Sequence, residues 1–143
     1  MAIKRLIKLA AVSTASAYIA FYSVVTPLTF KAARESVQIT SQQQLEQLLE
    51  TEKNKLNCEK DIIAILDDSI NGGGSYRGFD GKYYIKLGGD RGANLSVLKH
   101  EIYHIHDGHS DNILSKDPLI HPFIYYLWNE PQAVIYQIFG IKL

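Results

Sequence analysis

Asn94-Leu95-Ser96-Val97-Leu98-Lys99-His100-Glu101-Ile102-Tyr103-His104-Ile105-His106-Asp107-Gly108 is the stretch from which the rest of the fold can be laid out. Asn94 suits a helix N-cap, because its side chain can accept from a free N–H of the first turn. Leu95, Leu98, Ile102 and Ile105 then recur at helical spacing as one apolar stripe. Gly108 stands where a helix can reverse into the left-handed region and stop. The pattern predicts an amphipathic helix running to about Asp107. His100 and His104, four residues apart, lie on one face of it, one turn from each other. Two imidazoles so placed can converge on a metal ion. Glu101 projects beside them and can take the proton of a water.

Upstream, Tyr76 to Phe79 and Lys82 to Leu87 flank Asp80-Gly81, a strong hairpin signal. Tyr83, Ile85 and Leu87 alternate with Tyr84 and Lys86, which predicts a strand. Asn71-Gly72-Gly73-Gly74 reads as a flexible turn. It lacks the spacing of a nucleotide-binding loop, with no Gly-Lys-Ser/Thr at the required offset. Thr40 or Ser41 can cap a helix over about 41–56, with Leu45, Leu48, Leu49 and Leu56 on one side. The short apolar run Ile62, Ile63, Ile65 and Leu66 fits helix or strand. Downstream of the histidines a polar loop leads to Pro118 and an apolar stretch over 119–128. Pro131 punctuates it, and Ala133 to Phe139 reads as a last helix. The expected class is α+β, a small antiparallel sheet against a few helices.

The 143 residues suffice for one domain, and 46% apolar with 21% charged residues is ordinary for a chain that folds. A net charge of zero offers no electrostatic footprint for nucleic acid. Cys58 is the lone cysteine, so no disulfide can form within the chain. Lys4, Arg5 and Lys8 precede 22 uncharged residues, Leu9 to Phe30, diluted by serine and threonine, with Pro27 near the end, where the helix is expected to stop or kink. As a helix that segment is about 33 Å long, enough for a bilayer core. It is expected to be a transmembrane helix with a cytoplasmic N-terminus, the chain being a single-pass membrane protein. Cleavage as a signal peptide, giving a secreted protein, or service as a helix of the domain itself are the alternatives. The expected organisation is a membrane anchor or signal segment over 1–30, a polar linker over 31–40 and a domain over 41–143.

The His100-Glu101-x-x-His104 segment resembles the active-site helix of the zincin metallopeptidases. It does not extend into the metzincin pattern: Gly108 falls one residue late for it and His109 one residue early. In the gluzincin branch a glutamate on a later helix completes the site. Glu130 is the only glutamate after His104, and Glu130-Pro131-Gln132-Ala133 resembles the ligand segment, with a small residue one turn on. The resemblance covers roughly Lys82 to Phe139. It implies Zn2+ held by His100, His104 and Glu130, with Glu101 as general base. Pro131 departs from the pattern and biases Glu130 away from helical backbone, toward the start of the last helix.

His109 or Asp111 would be the substitute third ligand. His106 and His109 are otherwise expected in solvent at the helix end, and Asp107 and Asp111 as partners that orient the ligand imidazoles. Tyr103, His121, Tyr125, Tyr126 and Tyr136 could each donate to an oxyanion. The strand Tyr83 to Leu87 is the candidate to pair with substrate backbone. The resemblance thus implies a zinc-dependent metallopeptidase acting on a peptide or protein through a water activated by Glu101. The alternative is a membrane-tethered binding or interaction protein with a structural or vestigial metal site.

Overall fold

The computed structural model describes residues 2–112 and 125–142. Helices α1 (Ala2–Glu35) and α2 (Gln42–Leu56) come first, then strands β1 (Ile62–Leu66), β2 (Gly72–Arg77) and β3 (Tyr83–Gly88). A single turn, α3 (Gly89–Gly92), leads into α4 (Leu95–His106) and a 3-10 turn (His109–Asn112). A π turn (Tyr125–Asn129) runs directly into α5 (Glu130–Phe139). The class is α+β, as expected. His121 and most of the apolar stretch 119–128 lie outside the described residues.

The sheet is mixed, not antiparallel. Its order is β1-β3-β2. The Asp80-Gly81 turn forms as expected, with the Gly78 N–H donating to the Lys82 carbonyl at 2.8 Å, so β2 and β3 are antiparallel, with Arg77 opposite Tyr83. The run 62–66 proves to be a strand. It joins the far side of β3 in parallel, Ile62 opposite Tyr83 and Leu66 opposite Leu87. β3 is therefore the central strand, with Ile85 and Leu87 fully buried. Both its edges are paired, so it cannot add a substrate strand. That corrects the expectation for Tyr83 to Leu87.

A second correction concerns the glycines. Gly72, Gly73 and Gly74 are not a turn but the start of β2. A Cβ on Gly73 would lie 2.3 Å from Val97 Cγ1 and 3.3 Å from Glu101 Oε1. The strand lies directly on α4, and only a residue without a side chain permits that approach.

Helix α4 forms for the reasons its sequence gives. Asn94 sits in extended backbone and its side chain accepts from the Val97 N–H at 3.0 Å. Leu98, Ile102 and Ile105 are fully buried in the core with Leu45, Ile85 and Leu87. Burial of each such side chain contributes about 1.5–3 kcal/mol. Gly108, at φ +77°, turns the chain back after the last turn. Helix α2 is capped by Ser41, whose side chain accepts from the Gln44 N–H, and it buries Leu45, Leu49 and Leu56.

Helix α1 does not stop at Pro27 but continues to Glu35, into the segment expected as a linker. The rest of that segment is tied down. Ile39 is buried and its N–H donates to the Ala93 carbonyl, and Ser36 Oγ accepts from the Ser96 N–H at 2.8 Å. Among the described residues no helix is long and apolar enough to cross a membrane. The second half of α1 packs on the domain, with Val25 buried and the Tyr22 hydroxyl donating to the Tyr126 carbonyl at 3.1 Å.

The contact of β2 with α4 can be measured. Gly73→Ala should destabilise the protein by about 1–3 kcal/mol, the cost of overpacking. Gly74→Ala, whose Cβ would meet nothing within 4 Å, should change stability by less than about 0.5 kcal/mol. Urea unfolding of the two variants side by side checks both.

Candidate metal centre

Helix α4 carries His100 and His104 on the flank opposite its buried stripe, and α5 brings Glu130 across to them. His100 Nε2 lies 3.0 Å from His104 Nε2. Glu130 Oε2 is 3.5 Å from His100 Nε2, and Glu130 Oε1 is 3.2 Å from His104 Nε2. A tetrahedral ion with bonds near 2.0–2.1 Å separates its ligand atoms by about 3.3–3.4 Å. The three distances straddle that value. Glu130 is the first residue of α5, and Pro131 follows it in the first turn. Ala133, one turn on, is fully buried, so α5 can lie close to α4.

The other side of each ring is occupied. Gln137 Oε1 is 3.1 Å from His100 Nδ1, and Gln137 Nε2 donates to Ser96 Oγ at 3.0 Å. The Gln137 oxygen can only accept, so His100 Nδ1 carries a proton, and in the neutral ring Nε2 is a bare lone pair. Behind His104, His109 Nδ1 lies 2.9 Å from His104 Nδ1, and His109 Nε2 lies 2.9 Å from Asp107 Oδ2. With the Nδ1 of each ring engaged from behind, two Nε2 atoms and a carboxylate face one another. That donor set fits a borderline cation such as Zn2+.

The electrostatics follow from this geometry. Burial alone would depress the His100 pKa, but the Glu130 carboxylate and the nearby Glu101 outweigh it and push it up. Burial would raise Glu130, yet hydrogen bonds from His100, His104 and Tyr125 hold it well below the usual carboxylate range. Tyr125 is pushed up by burial and by Glu130. Its ring stacks on His104, centroids 5.7 Å apart.

These groups line a cleft of about 310 Å³ whose floor is Gly73, Gly74 and Ser75 of β2. Glu101 is buried but lines it too. Of the expected oxyanion donors within the described residues, only Tyr125 lines the cleft. Tyr103 is fully buried in the core, Tyr136 donates to Glu52 at 3.3 Å and Tyr126 is exposed.

Two further expectations need correcting. His109 is not in solvent but buried, because Gly108 swings it under the helix. Asp111 does not approach the cluster. It pairs with Lys60 at 3.1 Å and Arg77 at 3.6 Å and accepts from the Tyr83 hydroxyl, which pins the 3-10 turn to the sheet. Asp107 stands behind His104, through His109. His106 is partly exposed at the helix end, its pKa lowered by burial and by Lys142. Gln137 was missed altogether. Its signal was present, since it stands seven residues after Glu130 and so shares its helix face.

The chain matches no protein-family model, no curated protein and no solved structure with which it was compared.

Metal analysis of the purified protein should find one zinc per chain. His104→Ala should lower zinc affinity by more than about 100-fold, beyond the usual effect of an outer partner. Zinc held at 100 times its dissociation constant should stabilise the wild type by about 2.7 kcal/mol, read as a rise in Tm, and leave the variant unmoved.

Proposed function

We propose that the protein is a zinc-dependent metallopeptidase, with His100, His104 and Glu130 as metal ligands and Glu101 as general base. The observation that carries this reading is the convergence of three acceptors from two helices beside a buried carboxylate that opens on the same cleft. When bound, zinc supplies a Lewis acid that polarises a carbonyl and lowers the pKa of a water toward about 7. The chain's own groups do the rest. Glu101 follows His100 in the helix, so its carboxylate stands at the wall of the cleft beside the ligands. There it accepts a proton from a water and returns it to the leaving amine. The Tyr125 hydroxyl, which donates to Glu130 here, turns from it to donate to the developing oxyanion.

An extended peptide is the substrate that suits the walls. β2 is an edge strand with β3 on one side, and Gly73 to Ser75 border the cleft. Its glycines leave backbone N–H and C=O groups accessible to a chain laid alongside. The proposed β-pairing element is therefore β2.

Glu101→Gln is the discriminating variant. It should keep one zinc per chain and lose peptide hydrolysis by about 10²–10⁴-fold, the usual weight of a general base. A mixed peptide library read by mass spectrometry gives the assay. Turnover at the wild-type rate by Glu101→Gln would remove Glu101 from the mechanism. Absence of any cleavage by zinc-loaded wild type would leave a metal-binding protein without this activity.

A further inference from the structure

We propose that His109 is a positioning residue for the metal ligand His104, acting as the middle member of a relay Asp107–His109–His104. The inference rests on the reading of His100, His104 and Glu130 as a metal site and deepens it.

Donor and acceptor logic fixes the relay. The Asp107 carboxylate is acceptor-only, so His109 Nε2, at 2.9 Å, carries the proton. In neutral His109 the Nδ1 is then an acceptor. His104 Nδ1, at 2.9 Å, must donate to it. With its proton held at Nδ1, His104 turns a bare Nε2 toward Glu130 and His100. His109 is not itself a ligand in this arrangement, because one nitrogen faces Asp107 and the other the back of the His104 ring. An outer carboxylate commonly orients a ligand imidazole directly. Here a second imidazole is interposed, and the fold is built to supply it.

The supply begins at Gly108, whose φ of +77° reverses the chain and returns His109 beneath the last turn of α4. The 3-10 turn that follows is anchored by Asp111 to Lys60, Arg77 and Tyr83, three positions on or beside the sheet. Asp107 is held as well. With its amide oriented to suit both neighbours, Gln132 of α5 donates to Asp107 Oδ2 at 3.3 Å and accepts from Trp128 Nε1 at 3.2 Å. His109 is buried while Asp107 is partly open to solvent, so the relay runs from the surface to the metal cluster.

Zinc affinity, measured by competition with a chromophoric chelator, tests the relay. His109→Phe keeps a ring in the buried space but removes the acceptor. It should weaken zinc binding by about 10–100-fold, the usual cost of losing an outer partner. His109→Asn puts an amide oxygen near the place of Nδ1 and should recover affinity to within a few-fold of wild type. Asp107→Ala, at a partly exposed position, should weaken binding several-fold and keeps the test decisive should His109→Phe fail to fold. Urea unfolding of the metal-free proteins separates folding from binding. Wild-type zinc affinity in a folded His109→Phe, or in Asp107→Ala, would overturn the relay and leave the metal site standing. No zinc bound by the wild type would overturn the metal reading itself. Equal weakening by His109→Phe and His109→Asn would make His109 a packing residue and overturn its positioning role.

Discussion

Two imidazole lone pairs and a carboxylate held within 3.5 Å of one another repel unless a cation or a proton lies between them. Much of the surrounding structure resists that repulsion. Each imidazole is held from behind, His100 by Gln137 and His104 by His109, so both rings keep Nε2 turned toward the cluster. Both helices are held from beneath. Leu98, Ile102 and Ile105 fix α4 in the core, and the buried Ala133 lets α5 approach it. A buried cluster of acceptors is unfavourable in the absence of a counter-charge. Ordered partners behind both rings keep the two Nε2 atoms turned toward each other, 3.0 Å apart.

The cleft exists because of a second constraint, the close approach of β2 to α4. Gly73 lies where any Cβ would collide with Val97. The same absence of side chains that allows the contact leaves strand backbone exposed at the wall of the cleft, beside Glu101. A larger residue there would push the strand away and widen the gap between its backbone and Glu101. The packing of β2 on α4 and the shape of the cleft therefore impose the same residue.

Helix α4 could be read from sequence because its determinants are local: a cap at Asn94, a stripe of four apolar residues and a stop at Gly108. The Asp80-Gly81 hairpin was legible for the same reason. The glycines of β2 were not. Taken alone they read as a turn, and the need for them comes from a helix twenty-odd residues away. The sheet order was equally hidden. Nothing in Ile62–Leu66 says that it will bypass β2 and join β3 in parallel, so the alternating strand was mistaken for an edge. At the site, Glu130 was found through the resemblance, being the only later glutamate, while His109 looked like a solvated histidine at a helix end. Its burial depends on the backbone angle at Gly108 and on the anchoring of Asp111, both tertiary facts. Gln137 lay on the face of α5 that Glu130 defines and could have been found by extending that face by two turns.

Pro131 is the feature that a reading of the ligand segment alone makes hardest to accommodate, and the π turn before it supplies the answer. In i→i+5 geometry the N–H of residue 131 would donate to the carbonyl of Tyr126. Proline has no N–H, so residue 131 cannot supply that bond. The Tyr126 carbonyl accepts instead from the Tyr22 hydroxyl of α1 at 3.1 Å. One turn thus presents Tyr125 to the cleft, delivers Glu130 to the histidines and takes its missing hydrogen bond from the N-terminal helix. The second half of α1 is for this reason part of the scaffold of the site. Loosening α1 at Tyr22 would free a carbonyl four residues from Glu130, and the turn that delivers Glu130 to the histidines would lose the contact that replaces proline's absent donor.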